Sequence, residues 1–221
     1  AGHVNHARVV RLVEKALEGT ERADSTTDRV PVNGAAPKEL SLERSIQQAH
    51  LILGRRAYDV YDDRRIAMSV LNTILGGGMS SRLNQNIRER YGFCYSVYSF
   101  LNLYSDTGEF GVYMGTDAEK VPRARKLILR ELDRLAQTPV SARKVSQAIA
   151  QVKGSIMLGL ESMSSRMMRL GKQELYYGRN FSLDEILSEV QSVTREDVMT
   201  LAQELFNPDE FSFVTLLPKA A

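Results

Sequence analysis

The chain has 221 residues, of which 43% are hydrophobic and 25% charged, as in an ordinary globular protein. Its formal net charge of +2, with acids and bases interspersed, argues against a dedicated nucleic-acid surface, and no apolar run is long enough to span a membrane. The one cysteine, Cys94, cannot form an internal disulfide, and its apolar neighbours predict a buried, unreactive thiol.

The first residues predict a short entry and then a helix that ends near Leu17. Apolar residues including Val9 and Leu12 recur at helical spacing, and Asn5 is the predicted N-cap. Residues 19–40 are polar, carry prolines and a glycine, and show no apolar period. They therefore predict a linker that ends near residue 40.

Two of the histidines allow two interpretations, as metal ligands or as exposed loop residues. His3 and His6 form a His-x-x-His pair with no third ligand nearby. We therefore interpret both as exposed loop residues. His50 lies in a segment, residues 45–55, whose alternating apolar residues predict a strand, and we expect it on the polar face of that strand.

A helix is predicted next, and it ends at three consecutive glycines, residues 76–78. Its apolar positions fall on one face; they are Ile66, Ala67, Val70, Leu71, Ile74 and Leu75. The acids Asp62 and Asp63 suit the positive end of this helix. The glycines predict a left-handed cap and a close backbone approach. Ser80 or Ser81 is the predicted N-cap of a second helix, which Gly92 ends.

A β-hairpin is predicted from residues 93–104 and 109–116, because turn-forming residues 105–108 separate two β-rich runs. In the second run, Gly111 and Gly115 face away from the larger apolar residues. We expect a close neighbour on that glycine face, which could be a helix, another chain or a substrate.

The rest of the chain predicts several helices and a last strand. Two capping boxes, Ser182–Glu185 and Thr194–Asp197, start short helices, and Asn207 begins a turn before the strand. Methionines recur at helical spacing in the middle of this region, and we interpret them as core packing rather than as a metal–thioether site. These are Met157, Met163, Met167 and Met168.

The order of elements predicts an α+β fold with a mainly antiparallel sheet and helices packed on one face. The strands do not alternate with helices in a strict βαβ rhythm, which argues against a parallel, doubly wound sheet. At this length the chain can bury a sizeable core.

Three short motifs carry a resemblance to a known family. Residues 76–83 read Gly-Gly-Gly-Met-Ser-Ser-Arg-Leu, residues 87–89 read Ile-Arg-Glu, and residues 92–97 read Gly-Phe-Cys-Tyr-Ser-Val. Together they resemble the signature of the second half of M16-family zinc peptidases. The resemblance implies that residues 1–20 close a zinc-binding first half, residues 21–40 join the halves, and residues 41–221 form the C-terminal domain.

The resemblance also implies a role for Arg88 and Tyr95, which match the motif positions that hold the substrate backbone near the scissile bond. A guanidinium and a phenol are suitable donors to a carbonyl oxygen that gains negative charge. Arg82 is expected to be a structural anchor. The family's His-x-x-Glu-His zinc motif occurs nowhere in the 221 residues. We therefore expect no catalytic metal in this chain and no activity of the chain alone.

The resemblance implies a parent enzyme, a bacterial, cytoplasmic zinc metallopeptidase that hydrolyses peptide bonds. The implied partners of this chain are the N-terminal catalytic half and an extended peptide, with no nucleic acid or membrane. Losing the partner half would favour a homo-oligomer. The alternative is a non-catalytic assembly or scaffold subunit, since some family members have lost zinc. An independent peptide-binding module is a third possibility, through strand edges.

Overall fold

The computed structural model of the chain describes residues 2–21, 36–92 and 94–219. Most of the expected linker lies outside these ranges, and so does Phe93, where the first hairpin strand was expected to begin. The division into a tail, a linker and a C-terminal domain therefore stays a prediction.

The chain forms two compact units. We call residues 31–154 and 182–221 the sheet unit, and residues 1–30 and 155–181 the helical unit. The sheet unit holds every described strand, and the candidate site residues Arg88 and Tyr95 belong to it.

A five-stranded sheet with the order β1-β5-β2-β4-β3 forms the framework of the sheet unit. Its pairings are antiparallel except that of β1 with β5, which is parallel. The strands are β1 (Glu39–Arg44), β2 (Ala49–Ala57), β3 (Cys94–Leu103), β4 (Gly108–Thr116) and β5 (Ser212–Pro218). The predicted mainly antiparallel sheet and the β3–β4 hairpin are confirmed.

The start of the sheet differs from the prediction. Strand β2 begins four residues later than the predicted strand 45–55, and a separate strand, β1, precedes it. Glu39 and Leu40, the last two residues of the predicted linker, pair with β5. Strand β1 is exposed along most of its length, and its apolar alternation is limited to Leu40 and Leu42.

The predicted helices are present, and none of the described helices is long and apolar enough to cross a bilayer. The α-helices are α1 (His6–Leu17), α2 (Arg65–Gly76), α3 (Val121–Gln137), α4 (Ala142–Gly159), α5 (Met163–Tyr177), α6 (Leu183–Ser192) and α7 (Arg195–Leu205). Short 3₁₀ turns occupy Ala118–Lys120 and Pro208–Glu210, and a π-helix occupies Asn84–Glu89.

Both predicted capping boxes are confirmed. The Ser182 hydroxyl accepts from the Glu185 backbone N–H, and the Glu185 carboxylate accepts from the Ser182 N–H. Thr194 and Asp197 form the same reciprocal pair at the start of α7. Asn5 caps α1 as predicted, by accepting from the Arg8 N–H. These local patterns fix where the helices begin.

The core lies between one face of the sheet and helices α2, α3 and α7. Alternate residues of β2 and β4 point into it, as the two-residue period predicts. Its central side chains are almost fully buried; they include Leu51, Leu53, Leu71, Leu75, Phe110, Met114, Ile128, Leu132 and Phe206. Helices on one face of the sheet are therefore confirmed as the architecture.

The opposite face of the sheet accommodates aromatic rings beside its glycines. A Cβ on Gly111 would lie 2.4 Å from the Phe100 ring, so the close neighbour expected there is a side chain of the paired strand. Tyr113 crosses toward Gly115, and its phenol oxygen lies 2.7 Å from Nδ1 of His50. Side chains such as Ile52 remain partly open to solvent on this face.

The helical unit exposes the apolar residues of its helices. The stripe predicted on α1 is solvent-accessible, with Leu12 58% and Val13 49% exposed. The interpretation of the methionines as core packing is wrong for this structure. All four are more than half exposed: Met157, Met163, Met167 and Met168. Helical spacing identified a common face but not whether anything covers it.

A polar network joins the connection after β2 to α7. The Tyr58 hydroxyl donates to the Glu204 carboxylate, and the Arg64 guanidinium lies 3.6 Å above the centre of the Tyr58 ring. Arg64 also forms ion pairs with Glu204 and Asp62, both at 2.8 Å. Burial, and then the bond to Glu204, raise the pKa of Tyr58 to about 12.

We expect alkaline pH to destabilise the fold through Tyr58. The unfolded chain has the ordinary tyrosine pKa of 10.0, and the folded-state pKa is higher. The stabilisation by the neutral phenol is therefore complete below pH 10.0 and is lost as the pH rises through about 12. The free energy of unfolding, measured with urea, should fall between about pH 8 and about pH 11. This fall should be smaller in Tyr58→Phe than in the unaltered protein, because the variant has no phenol to ionise. Equal losses in both proteins would contradict this assignment.

Candidate functional site

The glycine stretch after α2 brings the helix end against strand β3. A Cβ on Gly76 would lie 2.2 Å from the backbone nitrogen of Ser99, so a side chain cannot be placed there without movement. The prediction of a left-handed cap is wrong, because Gly77 has φ −79°. Close backbone approach, the other predicted role, is what the structure requires at Gly76.

The N-cap predicted at Ser80 or Ser81 is not formed, and other hydrogen bonds hold this loop. The Ser81 hydroxyl donates to the Gly78 carbonyl at 2.5 Å rather than accepting from the next helix. Asn84, which is buried, donates to the carbonyls of Gly78 and Val97 at 3.1 and 3.2 Å. Asn84 thus fixes the loop to β3, a role that the sequence analysis did not identify.

Arg82 is a structural anchor, as predicted. Its guanidinium lies 3.1 Å from Oε2 of Glu131, a side chain on α3 that is 1% exposed. Glu131 also accepts from Asn86 at 2.8 Å and from Arg134 at 3.0 Å. A buried carboxylate with several charge-assisted partners holds the π-helix against α3.

Arg88 lies in the π-helix Asn84–Glu89, just before the turn that leads into β3. Gly92 ends this helical segment in the left-handed conformation, with φ +64°, and its N–H donates to the Arg88 carbonyl at 2.9 Å. The predicted helix stop is therefore confirmed. The Arg88 side chain is exposed and makes no ion pair with any described residue. π-Helical turns recur at functional sites because they re-aim side chains.

Tyr95 occupies a β-bulge near the start of β3. The β3–β4 pairing passes from Cys94 directly to Ser96, so Tyr95 has no partner across the ladder. Tyr95 is 63% exposed, so it is not a core residue. Bulges next to functional sites turn a side chain away from the sheet face that it would otherwise occupy.

Asp117 contacts the Tyr95 phenol from the end of β4. The hydroxyl donates to Oδ1 of Asp117 at 3.3 Å, while Lys120 pairs with the other carboxylate oxygen at 2.6 Å. The bond from Lys120 is the main reason that the pKa of Asp117 lies below its ordinary value. Asp117 therefore remains an acceptor for Tyr95 at neutral pH.

The described residues do not provide a zinc site. No group of three His, Cys, Asp or Glu side chains among them could hold a metal ion. His3 and His6 are exposed, as predicted, but His6 is the first residue of α1 rather than a loop residue, and Cys94 is buried. Burial raises the pKa of the Cys94 thiol, which makes it a poor nucleophile and ligand.

The sequence matches a family profile over residues 1–152, and that profile is described as the peptidase M16 inactive domain. This chain belongs to the peptidase M16 family. An uncharacterized zinc protease of Streptomyces coelicolor is 41% identical over 212 residues, and the uncharacterized zinc protease YmxG of Bacillus subtilis is 40% identical over 172 residues. These alignments cover 93% and 78% of this chain.

The chain spans about half the length of these M16 relatives, namely 46% and 42%. Solved structures show the same fold. A peptidase M16 inactive domain from Pseudomonas fluorescens superposes with a TM-score of 0.76 at 26% identity, covering 86% of this chain and 46% of that one. A protease from Helicobacter pylori superposes with a TM-score of 0.82 at 19% identity, covering 97% and 53%, and this likeness concerns the fold alone.

Proposed function

We propose that this chain is the zinc-free, C-terminal half of a zinc metalloendopeptidase, and that it is inactive alone. The observation that carries the proposal is the pair Arg88 and Tyr95, both exposed, on either side of the Gly92 turn. Each belongs to a local irregularity of the backbone, a π-helix and a β-bulge. Two such departures from regular structure, so close in sequence, are typical of a functional site.

Arg88 and Tyr95 would hold an extended peptide by donating hydrogen bonds to its backbone carbonyls. A guanidinium offers several N–H donors in a planar fork, and a phenol offers one O–H. Donors placed where negative charge develops on a carbonyl oxygen stabilise the transition state of peptide hydrolysis. The Tyr95 hydroxyl would exchange its bond to Asp117 for one to the substrate, and Lys120 would keep the released carboxylate paired.

The sheet unit would also supply part of the wall of a chamber that encloses the peptide. Its helix-free face presents partly open aromatic and aliphatic side chains in register, such as Tyr98, Tyr113, Ile52 and Val214. Such a face can contact varied side chains of a substrate without strong selectivity.

The remaining part of the proposal concerns the partner half. The zinc ligands and the catalytic base would lie in the N-terminal catalytic half, since the described residues of this chain do not fit a zinc site. The exposed apolar stripe of α1, including Leu12 and Leu17, supports burial against that half. Without it, the same stripe would favour self-association into a homo-oligomer.

Metal analysis combined with a peptidase assay tests the proposal. The whole protein should contain about one zinc per chain and cleave peptides, whereas the 221-residue chain should do neither, because its described residues offer no ligand set. Adding the separately produced first half should restore cleavage.

Two results would contradict the proposal. Stoichiometric zinc and cleavage by the 221-residue chain would show a metal site within it. A whole protein that holds no zinc and cleaves nothing would instead support the alternative, a non-catalytic assembly or scaffold subunit.

A further inference from the structure

Three arginines surround the half-buried ring of Tyr91, next to Arg88. Arg130 donates to the phenol oxygen from Nη2 at 3.1 Å. The guanidinium carbons of Arg123 and Arg90 lie 5.2 and 5.8 Å from the ring centre. Two of these arginines come from α3 and one from the segment that ends the π-helix, so the tertiary fold assembles the group.

Arg90 and Arg130 differ in their ion pairing from other arginines of the sheet unit. Neither Arg90 nor Arg130 forms an ion pair with a described carboxylate, whereas Arg55, Arg65 and Arg125 each pair with a glutamate. The hydrogen bond from Arg130, and then the charges of the arginines, lower the pKa of the Tyr91 phenol. A phenol that ionises more readily than usual reports a positive local potential.

We propose that Arg90, Arg123 and Arg130, arranged around Tyr91, form a subsite that binds the carboxylate side chains of an acidic peptide segment. We call it the Tyr91 arginine cluster. Planar guanidinium groups match carboxylates in geometry and can bind them through two parallel hydrogen bonds. The side chains of Arg90, Arg123 and Arg130 are exposed, so such a ligand can reach them from solvent.

The position of the cluster favours a peptide that also contacts Arg88. Tyr91 follows Arg88 by three residues on the same helical segment, and residues at this spacing are neighbours on a helix surface. A peptide held at Arg88 would therefore extend past the cluster, and acidic side chains flanking the held backbone would be preferred. This assignment of the peptide as a substrate rests on the proposed function, but binding of an acidic peptide by the cluster does not.

Nucleic acid fits the cluster less well than an acidic peptide. The sequence has 29 basic and 27 acidic residues, and the cluster contains only three arginines. Proteins that bind DNA through its backbone commonly contact about six to ten phosphates. A few carboxylates on a peptide match the size and charge of the cluster better.

Fluorescence anisotropy with labelled ten-residue peptides and the 221-residue chain tests this proposal. The first peptide carries three glutamates and an amidated C-terminus. The second peptide has glutamines in place of the glutamates and a free C-terminal carboxylate. The third probe is a single-stranded DNA of ten nucleotides. The glutamate peptide should bind most tightly, and its affinity should fall as salt is added, because exposed charges are screened. The double variant Arg90→Gln/Arg130→Gln should weaken its binding roughly fivefold or more.

A matched control removes the same charge elsewhere in the sheet unit. Arg143 and Arg195 are exposed and form no ion pair with a described residue, so Arg143→Gln/Arg195→Gln should leave the affinity unchanged. An equal loss in both double variants would overturn the proposal. So would equal affinity for the glutamine peptide, tighter binding of the DNA, or no measurable binding of the glutamate peptide. None of these measurements needs zinc or cleavage, so their outcome is independent of the test of Arg88 and Tyr95.

Discussion

Replacing Arg88 by alanine should slow peptide cleavage by the whole protein by about 100-fold, as is common when a donor to a developing oxyanion is lost. The side chain is exposed and forms no ion pair with a described residue, so its removal should leave the stability of the fold unchanged. Tyr95→Phe removes only the hydroxyl and should have an effect of similar size. The measurement is kcat and kcat/KM, together with the urea midpoint of each variant.

The control for this experiment is Arg143→Ala, which removes another exposed arginine from the sheet unit without touching the Gly92 turn. Its cleavage rate should equal that of the unaltered protein. Unchanged turnover in both Arg88→Ala and Tyr95→Phe would exclude these residues from the reaction. A lowered rate that accompanies a lowered urea midpoint would indicate a structural role instead.

Gly76→Ala should reduce the free energy of unfolding by about 3 kcal/mol, the upper end of the usual cost of overpacking. The added methyl group would meet the backbone nitrogen of Ser99 at 2.2 Å, and backbone within a paired strand cannot move aside as a flexible side chain can. Gly154→Ala is the matched control, because nothing lies within 4 Å of the corresponding Cβ on α4.

Urea unfolding of the 221-residue chain measures both glycine variants. Gly154→Ala should stabilise the chain by about 0.5–1 kcal/mol, since alanine restricts the unfolded helix-forming segment more than glycine does. If Gly76→Ala were as stable as the unaltered chain, the contact between the end of α2 and β3 would not exist in solution. The position of the Gly92 turn beside β3 would then also be in question.

Features that depend on residues adjacent in the sequence could be predicted from the sequence. The capping boxes at Ser182 and Thr194, the helix stop at Gly92 and the hairpin each rest on a few consecutive residues, and the structure confirms them. Strand β1 was missed because its partner, β5, is far away in the chain; Lys38 and Ser212, which are hydrogen-bonded beside this pairing, lie 174 positions apart. The alternation within β1 is also short, because Leu40 and Leu42 are its two apolar residues.

The same limit applies to the candidate site. Arg88 and Tyr95 were identified by a motif, but Glu131 and Asp117, which contact Arg82 and Tyr95, follow them by 49 and 22 residues. Glu131 lies among the apolar residues of the buried face of α3, and a charged residue at such a position indicates a buried carboxylate that needs partners. The arginines around Tyr91 come from two elements, and no local pattern predicts that they meet.

The parallel pairing of β1 with β5 has a consequence for biosynthesis. Strand β5 lies between β1 and β2. Both of these strands therefore lack their shared partner until residues 212–218 have left the ribosome. Before then, the nascent polypeptide exposes two unpaired edges, which are sites where other chains can add by hydrogen bonding. Such late, long-range closure is slow. A truncated polypeptide that ends before Ser212 lacks β5 and would therefore be prone to aggregation. Chaperones would be needed while these strand edges are exposed.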